Sequence, residues 1–413
     1  MELFKALTVL ESCREIARHM NISRRKNTVP LLEALGCRLY EDVKAPDDVP
    51  GFNRSTMDGF AVRARDTFGA SESMPAYLDV AGEVFMGRNI PDSVRPGQAW
   101  RIPTGGMLPA GCDAVVMVEY TEELDEKTIG VTRPVAPGDN IVQRGEDISA
   151  GDFIVTRGTV IRPQELGVLA AAGVTAVEVE DPLRVSIIST GDEVVAPSEN
   201  PGPGQVRDIN SYTLYGLVGR AGAVPVLCGI VGDDYRRLRD VMAAEIESSD
   251  IILLSGGSSV GTRDVSARVI ESLGGPGILF HGISVKPGKP TIGAVVAGKP
   301  VFGLPGHPVS AMVVFTLLVE PLLRAGRYPR DEDEFLMEFP VTARITRNLR
   351  SAAGREDFVR VSLRQENGQL LADPILGKSG LIATMSRAGG LARIAPDLEG
   401  IEAGEFVRIK IMG

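Results

Sequence analysis

The 413-residue sequence has few of the residues that mark the commonest specialised chemistries: four cysteines, three histidines, one tryptophan and 5% aromatics. Cys13, Cys37, Cys112 and Cys228 form no CxxC pair, and none stands near a histidine at zinc-finger spacing. A structural zinc site and a disulfide framework are therefore excluded, and reduced structural thiols are expected. Three scattered histidines, His19, His281 and His307, do not support a Ser–His–Asp arrangement. There is no surplus of positive charge: 44 Lys and Arg stand against 54 Asp and Glu, a net charge of -10. A sequence-independent nucleic-acid binder would carry a basic balance, so no nucleic-acid partner is expected. Apolar runs such as Ile251–Leu254 are too short to cross a bilayer. Met1 to Arg18 mixes charge through an amphipathic pattern without a continuous apolar stretch. A cytoplasmic protein with no membrane partner is the expectation. No Walker A loop, GxGxxG fingerprint, low-complexity tract or constant-period repeat occurs.

At this length the 44% hydrophobic, 24% charged composition suits several globular domains rather than one core. Residues 1–45 read as helical. Leu3, Leu7, Leu10, Ile16 and Met20 recur at helical spacing, and a second helix is expected over Thr28 to Leu35, ending at Gly36. Residues 46–137 change to short β-like runs between Gly and Pro: Ala76–Ala81, Gln98–Ile102, Ala114–Glu119 and Lys127–Val131. Residues 138–175 end in a helix from Pro163 to Ala172, stopped by Gly173. The β-rich module is thus expected as an insertion into an N-terminal helical/linker domain made of 1–45 plus 138–175.

Residues 176–328 alternate strands and helices. Strand-like Arg184–Thr190, Val224–Val231 and Asp250–Ser255 are interleaved with helix-like Asn210–Ala221, Tyr235–Ser248 and Val265–Ser272. Strands Thr291–Val296 and Pro300–Gly303 and a helix Val309–Leu323 follow. This rhythm predicts a three-layer α/β domain on a parallel-rich sheet. Residues 329–413 return to β: Phe335–Ile345, Phe358–Arg364 and Glu405–Ile411, with Asn367-Gly368 as a type I′ hairpin turn. A small C-terminal β-barrel or sandwich is expected. The fold class is therefore α/β and β multidomain.

In an open α/β sheet, ligands sit outside the carboxyl ends of the strands. The unusual residues of this chain fall there. Ser255, Gly256, Gly257, Ser258, Ser259 and Gly261 read as an anion cradle, in which glycines bring backbone N–H groups close and hydroxyls add donors. A tight strand-to-helix turn is the bland alternative. Glu193, Asp233, Asp234 and Asp264 cluster in the same loops, as hard oxygen ligands that suit Mg²⁺. Lys286 and Lys289, in a loop framed by Pro287, Gly288 and Pro290, present point charges for an oxyanion. The β module adds Asp58 and Thr104 in Gly-bounded turns, and Asp147 lies in Arg144-Gly145-Glu146-Asp147-Ile148.

Taken in order, these loops resemble the molybdopterin molybdenumtransferases, the molybdenum insertases related to the gephyrin E domain. Ser55-Thr56-Met57-Asp58-Gly59-Phe60-Ala61-Val62 is similar to the family's SAMDGYAV segment. Ile102-Pro103-Thr104-Gly105, Gly111-Cys112-Asp113-Ala114, Arg144–Ile148, Ser189-Thr190-Gly191-Asp192-Glu193, Ser255-Gly256-Gly257, Lys286-Pro287-Gly288-Lys289-Pro290 and Gly303-Leu304-Pro305-Gly306 follow in the family's order. The resemblance implies a four-domain chain and a homodimer in which the α/β domain of one subunit faces the β module of the other. It implies a reaction on adenylylated molybdopterin and molybdate, with Mg²⁺ at the nucleotide end, cleavage of the pyrophosphate bond and release of AMP. It places functional positions at Asp58, Thr104, Asp147, Glu193, Lys286 and Lys289, with metal candidates Asp264 and one of Asp233 and Asp234, between which the sequence does not choose. The 255–261 loop, Pro305, His307 and Pro308 would line the substrate. Transient contacts with the molybdopterin adenylyltransferase and with cofactor-accepting enzymes are implied as well. Two positions depart from the pattern: His307 stands where Asn is usual, and Asn53 where Asp is common. A pterin adenylyltransferase and a non-enzymatic receptor scaffold are the competing readings. Tungstate is not distinguished from molybdate.

Overall fold

The computed structural model describes residues 6–88, 90, 93–256 and 265–412. The chain divides into two compact units, Arg25–Asp181 and Met1–Arg24 with Pro182–Gly413.

The smaller unit is built on a six-stranded sheet in the order Ala114–Met117, Gly59–Val62, Gln98–Ile102, Ala76–Glu83, Thr128–Val131, Thr121–Asp125. Its inward face buries Phe60, Val62, Leu78, Val116, Ile129 and Val131. Three short antiparallel pairs bring flanking segments together: Lys26–Pro30 with Ala176–Glu180, Val43–Lys44 with Phe153–Val155, and Arg54–Ser55 with Ile141–Val142. A second core of Leu31, Leu39, Val155, Ile161, Leu169, Val177 and Val179 packs the helix Pro163–Ala171 against these pairs. The helix expected over Thr28 to Leu35 is absent. Lys26–Pro30 is a strand, followed by a 3₁₀ turn Leu31–Ala34. Thr28 and Val29 are β-branched and find an open partner in Glu178 and Val177, and tertiary pairing of this kind overrides a weak helical signal.

The larger unit opens with the helix Val9–His19, fixed by a capping box of Thr8 and Glu11. Leu3 lies outside the described residues, and Leu7 precedes the helix in a bridge to Ile283; the helix itself buries Val9, Cys13 and Ile16 in the core of the larger unit. The α/β sheet runs Val224–Val231, Arg184–Thr190, Ile251–Ser255, Lys299–Leu304, Ile292–Val296, Pro276–His281. The first four strands are mutually parallel, Ile292–Val296 runs antiparallel to them, and Pro276–His281 pairs antiparallel with Ile292–Val296. Alternate side chains along the strands face opposite layers. Val185, Ile187, Leu253 and Phe302 pack with Val9, Leu214 and Val313, from the helices Val9–His19, Asn210–Arg220 and the run starting at Pro308. Ile188, Ile252, Leu254 and Val301 pack with Leu238, Met242 and Val269, from Tyr235–Ser248 and Val265–Ser272. The three-layer α/β arrangement expected from the sequence is present. The helical run Pro308–Ala325 is long and apolar enough to cross a membrane, but 83% of it is buried, as in a core helix.

Beyond it, the stretch read as strand Phe335–Ile345 begins as a helix, Glu332–Met337. Asp331 caps it by accepting from Glu334 N at 2.9 Å, and three acidic residues occupy its first turn. The true strand is Val341–Ile345. It closes a five-stranded barrel with Gln369–Pro374, Glu356–Glu366, Gly390–Ile394 and Phe406–Ile411, each paired to the next and the last to Val341–Ile345. Ile345, Val361, Ala372, Ala392, Val407 and Ile409 fill it. The hairpin turn has Asn367 and Gly368 at φ 49° and 75°, as the Asn-Gly pair requires.

Candidate functional site

The connections leaving the neighbouring strands Arg184–Thr190 and Ile251–Ser255 run to opposite sides of the sheet, since the first leads to Val224–Val231 and the second to Pro276–His281. A crevice opens at such a switch point. Three segments meet there. Thr190 Oγ1 donates to Ser255 O at 3.4 Å, and Gly256 N donates to Leu304 O at 3.2 Å. Gly256 sits at φ 104°, and a Cβ on it would lie 2.3 Å from Thr190 O, so only glycine fits. Ser255 is buried at the strand end. The rest of the expected cradle, Gly257, Ser258, Ser259 and Gly261, lies outside the described residues, as does Asp264.

The acidic residues separate into different roles. Asp234 caps the helix Tyr235–Ser248, accepting from Arg237 N at 2.9 Å. Asp233 has its backbone N on Asp192 Oδ1 at 2.9 Å. Its carboxyl is pushed above the usual range by partial desolvation and by the neighbouring charges of Asp192 and Glu193. Asp192 was not singled out from sequence, although it stands beside Glu193 in the quoted loop. Among the described residues no three His, Cys, Asp or Glu side chains converge as a ready metal site.

A cavity of about 1330 Å³ lies between this sheet edge and the C-terminal barrel, inside the larger unit. The α/β domain contributes Glu193, Gly256, Lys286, Lys289, Pro305 and His307. The barrel contributes Arg350, Arg355, Asp357, Arg360, Lys378 and Ser379. Six cationic side chains thus face two carboxylates. Pro308 is buried as the first residue of the helix behind Pro305 and His307. His307 Nδ1 meets Ser379 Oγ at 2.9 Å, and Val309 N donates to Ser379 O at 3.1 Å, tying the last sheet loop to the barrel. On the helix side, Asn210 Nδ2 donates to Gly306 O at 3.0 Å, and Asp208 accepts from Ser189 Oγ at 2.8 Å.

Arg360 is the most informative of the residues that sequence reasoning missed. It is only 8% exposed. Its guanidinium donates to Thr384 Oγ1 at 2.6 Å and Gly377 O at 2.8 Å, both neutral. Among the described residues it has no carboxylate partner, and burial pulls its pKa down. A buried cation is normally paired. The signal available in the sequence was a lone arginine within the apolar run Phe358-Val359-Arg360-Val361.

The smaller unit holds the other candidates. Asp58 Oδ1 accepts from Thr104 N at 2.7 Å and Thr104 Oγ1 at 3.0 Å, which holds the Asp58 carboxyl below its ordinary range, the backbone donor contributing most. The loop carrying Asp147 is fastened nearby in the chain's own turns. Arg144 N donates to Asn53 Oδ1 at 2.7 Å, Arg144 Nε to Asp48 Oδ2 at 2.6 Å, and Ala150 N to Asp48 Oδ1 at 2.8 Å. Asn53 also accepts, through its backbone O, from Leu108 N at 2.8 Å. An amide oxygen serves this acceptor role as a carboxylate would, which accounts for Asn at this position. Asp147 itself is exposed.

Comparison with known proteins covers the whole arrangement. Residues 7–173 match the MoeA N-terminal region (domain I and II), 186–325 a probable molybdopterin binding domain, and 342–411 the MoeA C-terminal region (domain IV). The chain is 34% identical over 426 residues to a putative molybdopterin biosynthesis protein of Methanocaldococcus jannaschii, covering 100% of both. It is 31% identical over 410 residues to the molybdopterin molybdenumtransferase of Bacillus subtilis, covering 98% of this chain and 94% of that one. A crystal structure of a molybdopterin biosynthesis MoeA protein from Pyrococcus horikoshii superposes with a TM-score of 0.83 at 35% identity, covering 98% and 99% of the two chains.

Proposed function

This chain belongs to the MoeA family, whose curated members are named molybdopterin molybdenumtransferases, and on that premise we propose that it inserts molybdenum from molybdate into adenylylated molybdopterin, cleaving the pyrophosphate bond and releasing AMP. The carrying observation is the cavity in which Lys286 and Lys289 of the α/β domain face Arg360 of the barrel, a buried guanidinium with no carboxylate partner among the described residues. Molybdate is a dianion and the pyrophosphate adds further negative charge. Bringing them together requires preorganised cations and N–H donors in a partly enclosed space, where such charges act strongly. Lys286 and Lys289 supply point charges, and Arg360 supplies a planar fork. His307, with Nδ1 engaged by Ser379, presents its other edge where an amide is usual in the family.

Mg²⁺ fits the acidic corner in chemistry: it commonly takes one or two carboxylates and completes its shell with water and phosphate. Asp233, crowded by the charges of Asp192 and Glu193, and Glu193 itself would hold it, with Asp264 a further candidate. Asp234 is engaged as a helix cap. Once bound, the ion would neutralise charge on the phosphoryl group being cleaved. Asp58 and Thr104 of the β module, with Asp147 of the adjoining segment, are proposed to complete the site from a second subunit in a homodimer.

The test is AMP release from adenylylated molybdopterin with and without molybdate, with tungstate in parallel. Release that depends on the oxyanion is expected. ATP-dependent adenylylation of free molybdopterin, with no oxyanion requirement, would replace this reading with an adenylyltransferase.

A further inference from the structure

Asp357 is a carboxylate in a cavity that is otherwise organised for anions. It lies on the barrel strand Glu356–Glu366, and its side chain is 5% exposed. The short strand Val285–Lys286 pairs with this strand in parallel, with Lys286 opposite Asp357, and Glu356 N donates to Ser284 O at 2.9 Å. The lysine loop is therefore stitched to the barrel through its backbone. The following turn is fixed as well: a Cβ on Gly288 would come within 2.5 Å of Val314 Cγ2, and Thr291 Oγ1 donates to Gly288 O at 2.6 Å. The backbone under Lys286 has little freedom, whereas its side chain, 58% exposed, has much. Asp357 supplies the missing constraint. Its Oδ2 lies 3.6 Å from Lys286 Nζ, and Arg355 grips the same carboxylate with Nε on Oδ1 at 2.8 Å and Nη2 on Oδ2 at 3.4 Å.

We propose that Asp357 is a positioning residue that aims Lys286, and with it Arg355, into the oxyanion cavity, so that the barrel sets the geometry of a lysine carried by the α/β domain. This rests on reading the cavity as the oxyanion site. An anion-repelling charge is tolerated there because one buried carboxylate orders two cations and leaves the trio net positive. Neutralising it would raise the local positive charge. That gain is small, because Lys286 and Arg355 would then repel each other and the exposed lysine would swing into solvent, where its field is screened.

Molybdate alone is the probe, measured by equilibrium dialysis on the full chain with Lys286→Ala, Asp357→Asn, Asp357→Glu and the corresponding doubles. Lys286→Ala and Asp357→Asn should each weaken binding by roughly tenfold, and the double variant should be no weaker than Lys286→Ala, as for two residues acting through one contact. Asp357→Glu should stay within about threefold of the unaltered protein, since the charge is kept. Losses that add in the double variant, or unchanged or tighter binding by Asp357→Asn, overturn the positioning role. Should Asp357→Asn not fold, the comparison passes to Asp357→Ser, which also removes the charge. A change seen equally with and without Lys286 overturns the proposal, and a change seen only with Lys286 supports it. If Lys286→Ala itself leaves molybdate binding intact, the reading of the cavity fails instead, and the two failures are told apart.

Discussion

Replacing Arg360 by Met separates stability from function in a way that few substitutions would. The change removes two hydrogen bonds, to Thr384 Oγ1 and Gly377 O, from a side chain that is 8% exposed. Each such bond contributes about 1 kcal/mol net, somewhat more when the donor is charged. Against that loss stands relief from burying a guanidinium with no carboxylate partner among the described residues, a penalty of several kcal/mol in an idealised interior and smaller beside a water-filled cavity. Thr384 Oγ1 loses this donor but still donates to Leu381 O at 2.5 Å, so only the Gly377 carbonyl is left without a side-chain partner. The terms nearly cancel, and the stability change should lie within about 1 kcal/mol of zero. Oxyanion binding has no such compensation. A charge-assisted hydrogen bond is worth about 1.5–3 kcal/mol, so molybdate affinity should fall by roughly ten- to a hundredfold. Arg360→Lys, which keeps the charge without the fork, should fall between. Urea unfolding and molybdate dialysis on the same preparations measure both quantities. Molybdate affinity within about threefold of the unaltered protein, with stability lost by several kcal/mol, would show Arg360 to be a structural arginine with no part in oxyanion binding.

Thr104→Val removes the hydroxyl but not the N–H that Asp58 accepts, so the Asp58 carboxyl should rise part of the way toward its ordinary range, as read by carbon-detected NMR titration. Because its pKa in the folded state is depressed, the stabilisation from Asp58 is present above the unfolded-state pKa and lost as pH falls through the folded one; in the variant the loss should be smaller and complete at higher pH. Asp233 has the opposite sign. Its raised pKa makes the ionised form a burden above that pKa, so Asp233→Asn should stabilise the metal-free protein at neutral pH by a few tenths of a kcal/mol, exposure screening the rest. The gain should vanish in acid, where the carboxyl is protonated in both states, and thermal unfolding across pH checks it. Gly256→Ala should cost at least about 2 kcal/mol, from its φ of 104° and the collision with Thr190 O, and should separate the two loops at the switch point. Unchanged unfolding in urea would contradict the close approach.

The α/β domain was the most legible part of the chain. Arg184–Thr190, Val224–Val231 and Tyr235–Ser248 begin and end where the periodicity put them, because buried parallel strands and amphipathic helices leave strong, different patterns. Its antiparallel edge was less so: Pro276–His281 shows only three clearly apolar residues, Ile278-Leu279-Phe280. Thr28–Leu35 and Phe335–Ile345 were misread because pairing with Ala176–Glu180 in one case and the Asp331 cap in the other decided against the local apolar count. Motif order marked Glu193, Lys286 and Lys289, which the fold brings to one cavity. It did not mark Arg355, Asp357 or Arg360. Their importance comes from barrel closure, which turns residues some 70 positions downstream of the lysines toward them, and strand alternation carries no trace of that distance. Asp233 and Asp234 are equal in sequence and unequal in structure, since only one of two adjacent carboxylates can cap the helix.

Molybdenum insertion requires one oxyanion to be consumed for each pyrophosphate bond cleaved. The direct measurement is the molar ratio of AMP released to molybdenum held on the pterin product, from a single incubation with limiting adenylylated molybdopterin. Equal amounts of the two, and no AMP without oxyanion, are expected. AMP released at the same rate without molybdate, with no metal on the pterin, would make the protein a hydrolase of the adenylylated pterin and contradict the account.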